Sequence, residues 1–123
     1  MIRTKITKAF HFDAAHNIPN YRGKCERLHG HTYHLEVTLE APVDPESGIA
    51  VDFTELGDLV RREVVDVLDH TYLNERIPVS TAENVASWIF ARVAARLPER
   101  PGLRLDSIRL WETPTSSVTL SSD

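Results

Sequence analysis

The chain has 123 residues, of which 41% are hydrophobic, a single cysteine and a formal net charge of -4. That length suits one domain over residues 1–123 with a core able to fold unaided, and a lone cysteine excludes an intrachain disulfide framework. The acidic balance, with no long basic block, argues against a nucleic-acid partner. No apolar run approaches the ~20 residues of a membrane span, and the opening MIRTKITKAF is too polar for a signal segment; a cytoplasmic protein with no membrane partner is expected.

Residues 2–12 alternate, with Ile2, Ile6, Phe10 and Phe12 on one parity, which predicts a half-buried strand. A turn-rich stretch follows, and from His31 to Glu40 the alternation returns with Tyr33, Leu35, Val37 and Leu39 on the inner face. The segment DFTELGDLVRREVVDVLD changes period. Phe53, Leu56, Val60, Val64 and Val67 predict an amphipathic helix, started by Asp52 with Glu55 in the position of a capping box. A second helix spans STAENVASWIFARVAARL, with Val85, Ile89, Val93 and Leu97 as its apolar stripe and Pro98 as its stop. There Ser80 and Glu83 read as a capping box that needs no functional explanation. Residues 103–112 alternate again through Ile108 and Leu110, and a short strand lies around Val118 to Leu120. The order ββααββ predicts an α+β fold, a four-stranded antiparallel sheet with both helices on one face.

Three histidines fall in the ten residues CERLHGHTYH. His29 and His31 are two apart on one strand, so their side chains share a face. His31 heads the apolar stripe of Tyr33, Leu35 and Val37, an expensive place for a polar ring without a partner. FDAAH carries the parity of Phe10 and Phe12 through Ala14 to His16, so antiparallel pairing brings the end of the first strand to the beginning of the second. The imidazoles of His16, His29 and His31 then meet, and three protein nitrogens with an open fourth position are the pattern of a catalytic zinc. The competing reading is a solvated or hydrogen-bonded HxH pair. His11 and His34 fall on the opposite face and read as surface or interface histidines.

Cys25 reads in three ways: a fourth ligand that closes the site, a free thiol beside it, or a small buried hydrophobe. Arg22, Lys24 and Arg27 favour the thiolate form electrostatically, and RGKCER is polar for a core segment. Asp69-His70, just past the first helix, is either a helix C-cap or a proton donor adjusted by its carboxylate. Glu112 continues the parity of Ile108 and Leu110, so its carboxylate either bends out at the strand end or faces a pocket.

FDAAH, C-x3-HGH, LDH-x2-LN, STAEN and the ET of WETPTS, in this order and at these separations, resemble the 6-pyruvoyltetrahydropterin synthase and 6-carboxytetrahydropterin synthase family. The likeness covers about residues 8–120. It implies the tunnelling fold, with subunits assembled into barrels, usually hexamers built from two trimers. It also implies that His16, His29 and His31 hold Zn2+, that Cys25 is the base, and that His70 with Asp69 is its acid-base partner. Glu112 would anchor the pterin ring, accepting its two parallel N–H donors, and would join Cys25, Asp69 and His70 as a catalytic residue in the proton relay. The C-x3-HGH spacing looks like the carboxy-forming branch of 7-deazapurine (queuosine) biosynthesis, whereas VSTAEN is also close to what pyruvoyl-forming enzymes carry. The substrate implied is 7,8-dihydroneopterin triphosphate, with Arg22, Lys24 and Arg27 as candidate triphosphate contacts. A lyase releasing acetaldehyde and triphosphate is the expected activity. The alternatives are a pyruvoyl-forming synthase and a non-catalytic pterin- or metal-binding module.

Overall fold

A computed structural model describes residues 2–123 of the chain. Strands β1 (Lys5–His16) and β2 (His29–Glu40) pair antiparallel along their whole length, from Lys5 opposite Glu40 to His16 opposite His29. Ile2 lies outside β1 and is exposed, so the first strand starts later than its alternation suggests. Along β2, Tyr33, Leu35, Val37 and Leu39 are buried as their parity requires.

The first helical region is one path in three parts: α1 (Phe53–Val60), a π-helical stretch at Arg61–Val65 and the short α2 (Asp66–Leu68). A π turn accommodates one extra residue, which shifts the inward stripe. Val60, Val64 and Leu68 are therefore buried, while Val67 is only half-buried and Phe53 is exposed. Asp52 caps α1 by accepting the Thr54 N–H at 2.7 Å. The expected capping box is incomplete, because Glu55 turns outward into a bidentate ion pair with Arg100.

Helix α3 (Ala82–Arg96) buries Val85, Ala86, Ile89 and Val93, and contacts β4 (Arg104–Thr113) and β5 (Ser116–Ser121). Each valine or isoleucine side chain enclosed in this way stabilises the fold by roughly 1.5–3 kcal/mol relative to exposure. The cap of α3 is Thr81, which accepts the Asn84 N–H, not Ser80.

The sheet has five strands in the order β3-β1-β2-β4-β5, which corrects the expected four-stranded antiparallel arrangement. The additional strand, β3 (Thr71–Tyr72), runs parallel to β1 and pairs with Ala14 and Ala15. Two residues carry no periodicity, so their pairing is dictated by the turn after α2 and not by a sequence pattern. In that turn His70 adopts a left-handed φ of 58°, and its N–H donates to the Asp13 carbonyl at 2.6 Å.

Candidate metal centre and its surroundings

The register that opposes His16 to His29 and Ala14 to His31 brings the three rings together at one end of the β1-β2 ladder. Their centroids lie 4.6 to 5.1 Å apart, and one nitrogen of each falls within 4.8 Å of the others. His16 is 1% exposed, whereas His29 and His31 are half-buried.

Tautomers follow from the neighbours. His16 Nδ1 lies 2.7 Å from the Ser80 carbonyl and His29 Nδ1 lies 2.7 Å from the Arg27 carbonyl. A carbonyl only accepts, so each Nδ1 carries the proton and each Nε2 presents a lone pair. The two Nε2 atoms face each other at 3.1 Å, and His31 Nε2 is buried without a hydrogen-bond partner. Two lone pairs that face each other at this distance repel unless a cation lies between them. The donor set therefore fits a metal ion, and neutral imidazoles oriented through the opposite nitrogen are the state in which histidine ligates one. Burial holds His31 below its ordinary pKa, the Glu112 carboxylate opposes that shift, and His16 and His29 add to it.

The Ser80 carbonyl is itself fixed. Asn74 donates to the carbonyls of Asn17 (2.8 Å) and Pro78 (3.2 Å), and accepts from the Asn17 N–H (3.2 Å) and the Ser80 hydroxyl (2.9 Å). One amide thus ties the end of β1 to the approach to α3 and sets the carbonyl that orients His16. Sequence reading missed this role for Ser80 and Asn74. Ser80 reads as a cap in S-T-A-E, and the informative signal, the Asn of LDH-x2-LN, points to no chemistry by itself.

Glu112 stands at an irregularity in the β4-β5 pairing, between Trp111 opposite Ser117 and Thr113 opposite Ser116. Such bulges re-aim a side chain. Its oxygens lie 3.8 Å from His16 Nε2 and 3.9 Å from His31 Nε2. Of the two readings, the carboxylate faces a pocket: a 740 Å³ hollow lined by His31, Glu112, Trp111, His34 and His11. His11 and His34 are exposed, as their parity predicts.

A second hollow, of 530 Å³, shares His31 and adds Asp13, His70 and Tyr72. Here Asp69 Oδ2 lies 3.0 Å from His70 Nδ1, and Asp69 Oδ1 accepts the Asp13 N–H at 2.9 Å. The Asp13 amide first, and then His70, hold the Asp69 carboxyl below its usual range. The Asp69-His70 turn is thus docked onto β1.

Cys25 occupies a one-turn 3₁₀ segment, Lys24–Glu26, is half-buried, and lies outside the three-histidine group. Its carbonyl accepts the Ile18 N–H at 2.6 Å, which closes the loop between β1 and β2. Arg22, Lys24 and Arg27 are exposed on that loop and line neither hollow.

The model of the 6-pyruvoyl tetrahydropterin synthase family matches residues 5–123. A 6-carboxy-5,6,7,8-tetrahydropterin synthase of Haemophilus influenzae is 36% identical, over 91% of this chain and 94% of its own. A dihydroneopterin monophosphate aldolase of Pyrococcus furiosus is 37% identical, over 97% and 98%. The solved structure of Caenorhabditis elegans 6-pyruvoyl tetrahydropterin synthase superposes with a TM-score of 0.88 at 28% identity, covering 100% of this chain and 98% of that one. Among the described residues, no helix is long and apolar enough to cross a membrane.

Proposed function

The chain belongs to the 6-pyruvoyl tetrahydropterin synthase family, and we propose that it is a zinc-dependent 6-carboxy-5,6,7,8-tetrahydropterin synthase in 7-deazapurine (queuosine) biosynthesis. In this reading 7,8-dihydroneopterin triphosphate and water yield 6-carboxytetrahydropterin, acetaldehyde and triphosphate. The supporting observation is the grouping of one ring nitrogen each of His16, His29 and His31 within 4.8 Å of one another, beside a carboxylate that lines the 740 Å³ hollow, with Cys25 outside the group.

His16, His29 and His31 would hold the zinc. When bound, the metal supplies Lewis acidity toward the hydroxyls of the substrate side chain and acidifies the neighbouring C–H positions. Cys25, as thiolate, removes a proton from that side chain. His70 returns one, its Nδ1 held by Asp69 so that Nε2 is the nitrogen that exchanges protons. Glu112 accepts the paired N–H edge of the pterin and fixes the ring relative to the metal. Arg22, Lys24 and Arg27 neutralise the triphosphate from the loop that carries Cys25. The 123 residues act as one domain in this reading. A cytoplasmic setting keeps Cys25 reduced.

Assembly as a hexamer of two trimers accompanies the proposal. Strand β5 ends the sheet with half its residues exposed, and an unpaired edge of this length calls for a cover.

Product analysis tests the reaction. The zinc-loaded protein, given dihydroneopterin triphosphate, should release acetaldehyde and a product with the mass of 6-carboxytetrahydropterin. Triphosphate release without acetaldehyde would assign the pyruvoyl-forming reaction instead. A parallel assay with the monophosphate addresses the activity named for the Pyrococcus furiosus relative, and inertness toward both substrates would leave a binding module.

A further inference from the structure

Tyr33 is 0% exposed and its hydroxyl has no hydrogen-bond partner, a situation shared among the described residues only by His31 Nε2. The ring is well accounted for: it stacks on Phe12 at 5.0 Å and meets the edges of His31 and His16 at 5.6 and 6.3 Å. A phenylalanine would satisfy those contacts equally. The hydroxyl, in contrast, carries the full cost of an unpaired buried donor unless an acceptor reaches it.

The nearby candidate acceptor is Glu112. Tyr33 and Glu112 are the residues next to the His34–Trp111 pair of the antiparallel β2-β4 ladder, and the carboxylate touches the same His31 ring that Tyr33 packs against. At 3.8 and 3.9 Å from the histidine nitrogens, its oxygens are beyond hydrogen-bonding distance of them, and those lone pairs are committed to a metal in the reading above. One buried donor and one carboxylate not held by its neighbours thus share a site.

We propose that Tyr33 is a positioning residue, whose hydroxyl donates a hydrogen bond to the Glu112 carboxylate in the metal-loaded protein and holds it toward the 740 Å³ hollow. This inference rests on Glu112 being the pterin anchor. Tyr33 touches no reacting atom; it limits the freedom of a carboxylate that must accept two parallel donors. The bond leaves the outer lone pairs of Glu112 for the ligand.

The test is a double-mutant cycle on zinc-loaded protein, using Tyr33→Phe, Glu112→Ala and their combination, with zinc stoichiometry and the Kd for pterin as readouts. Tyr33→Phe should keep the metal and weaken pterin binding about tenfold, the scale of a hydrogen bond to a charged group. KM should rise while kcat falls by less than about threefold. In the Glu112→Ala background the same change should have no effect on Kd. A Tyr33→Phe effect that persists in full without Glu112, or wild-type affinity in the single variant, would overturn the proposal. If wild-type protein fails to bind pterin, the functional reading falls, and the same cycle is then read in urea denaturation of the zinc-loaded protein. Coupling between the two side chains there supports the contact, and additivity overturns it.

Discussion

His16 and His29 are directly opposed across the β1-β2 ladder, and their Nε2 atoms face each other at 3.1 Å while each Nδ1 is tied to a backbone carbonyl. The arrangement is held from behind, through the two Nδ1 atoms, which leaves both Nε2 atoms on the facing side.

Substituting His29→Ala or His31→Ala should therefore reduce zinc from about one per chain to well below it, with secondary structure retained. Metal analysis of both purified variants checks this. Full zinc occupancy in both would remove the three-histidine assignment.

Asn74→Ala leaves the Asn17 N–H without an acceptor, leaves the Ser80 hydroxyl only the Asn17 carbonyl at 3.4 Å, and frees the segment that orients His16. Unfolding free energy should fall by about 1–3 kcal/mol. Zinc affinity should fall by about tenfold or more, as for other groups that orient a ligand from behind. Competition against a chromogenic chelator measures the second effect, and unchanged affinity would show that the Ser80 carbonyl holds its place without the amide.

The Asp69 carboxyl, held below its ordinary 3.8 by the Asp13 amide and His70, links stability to pH. A depressed folded pKa means that the unfolded chain takes up the proton first as pH falls. The contribution is therefore present above about pH 4 and disappears as pH drops through the lower folded value. Asp69→Asn should have a lower urea midpoint than wild type at pH 7, and the gap should narrow as pH falls below about 4. A constant gap over that range would contradict the linkage.

How the fold could be read in advance differed from element to element. Parity from Phe10 to His16 was sufficient to bring three histidines together, because a period of two assigns faces and the antiparallel register does the rest. Val67 and Leu68 exchange roles because a helical wheel assumes 3.6 residues per turn, and the π stretch at Arg61–Val65 violates it. Strand β3 was hidden because Thr71 and Tyr72 are too few to show alternation. Parity correctly placed Tyr33 in the core, yet a period of two assigns a face and says nothing of whether the buried hydroxyl has a partner.

The edge strand β5 leads to a prediction about assembly. Replacing Val118 with Lys, on the half-buried face of that edge, should shift the particle toward smaller species in light scattering. A mass equal to that of wild type would show that the edge is not the contact. A wild-type chain that is monomeric at micromolar concentration would reject the hexamer.

The central claim is a three-histidine zinc centre with Cys25 beside it as the base. It is tested most directly by measuring zinc content and acetaldehyde release on one preparation of Cys25→Ala. The account predicts about one zinc per chain, unchanged from wild type, with turnover lower by roughly 10² to 10⁴, the scale of losing a positioned proton-transfer group. Loss of the metal would make the thiolate a ligand, and turnover equal to wild type would remove Cys25 from the reaction; either result contradicts the account.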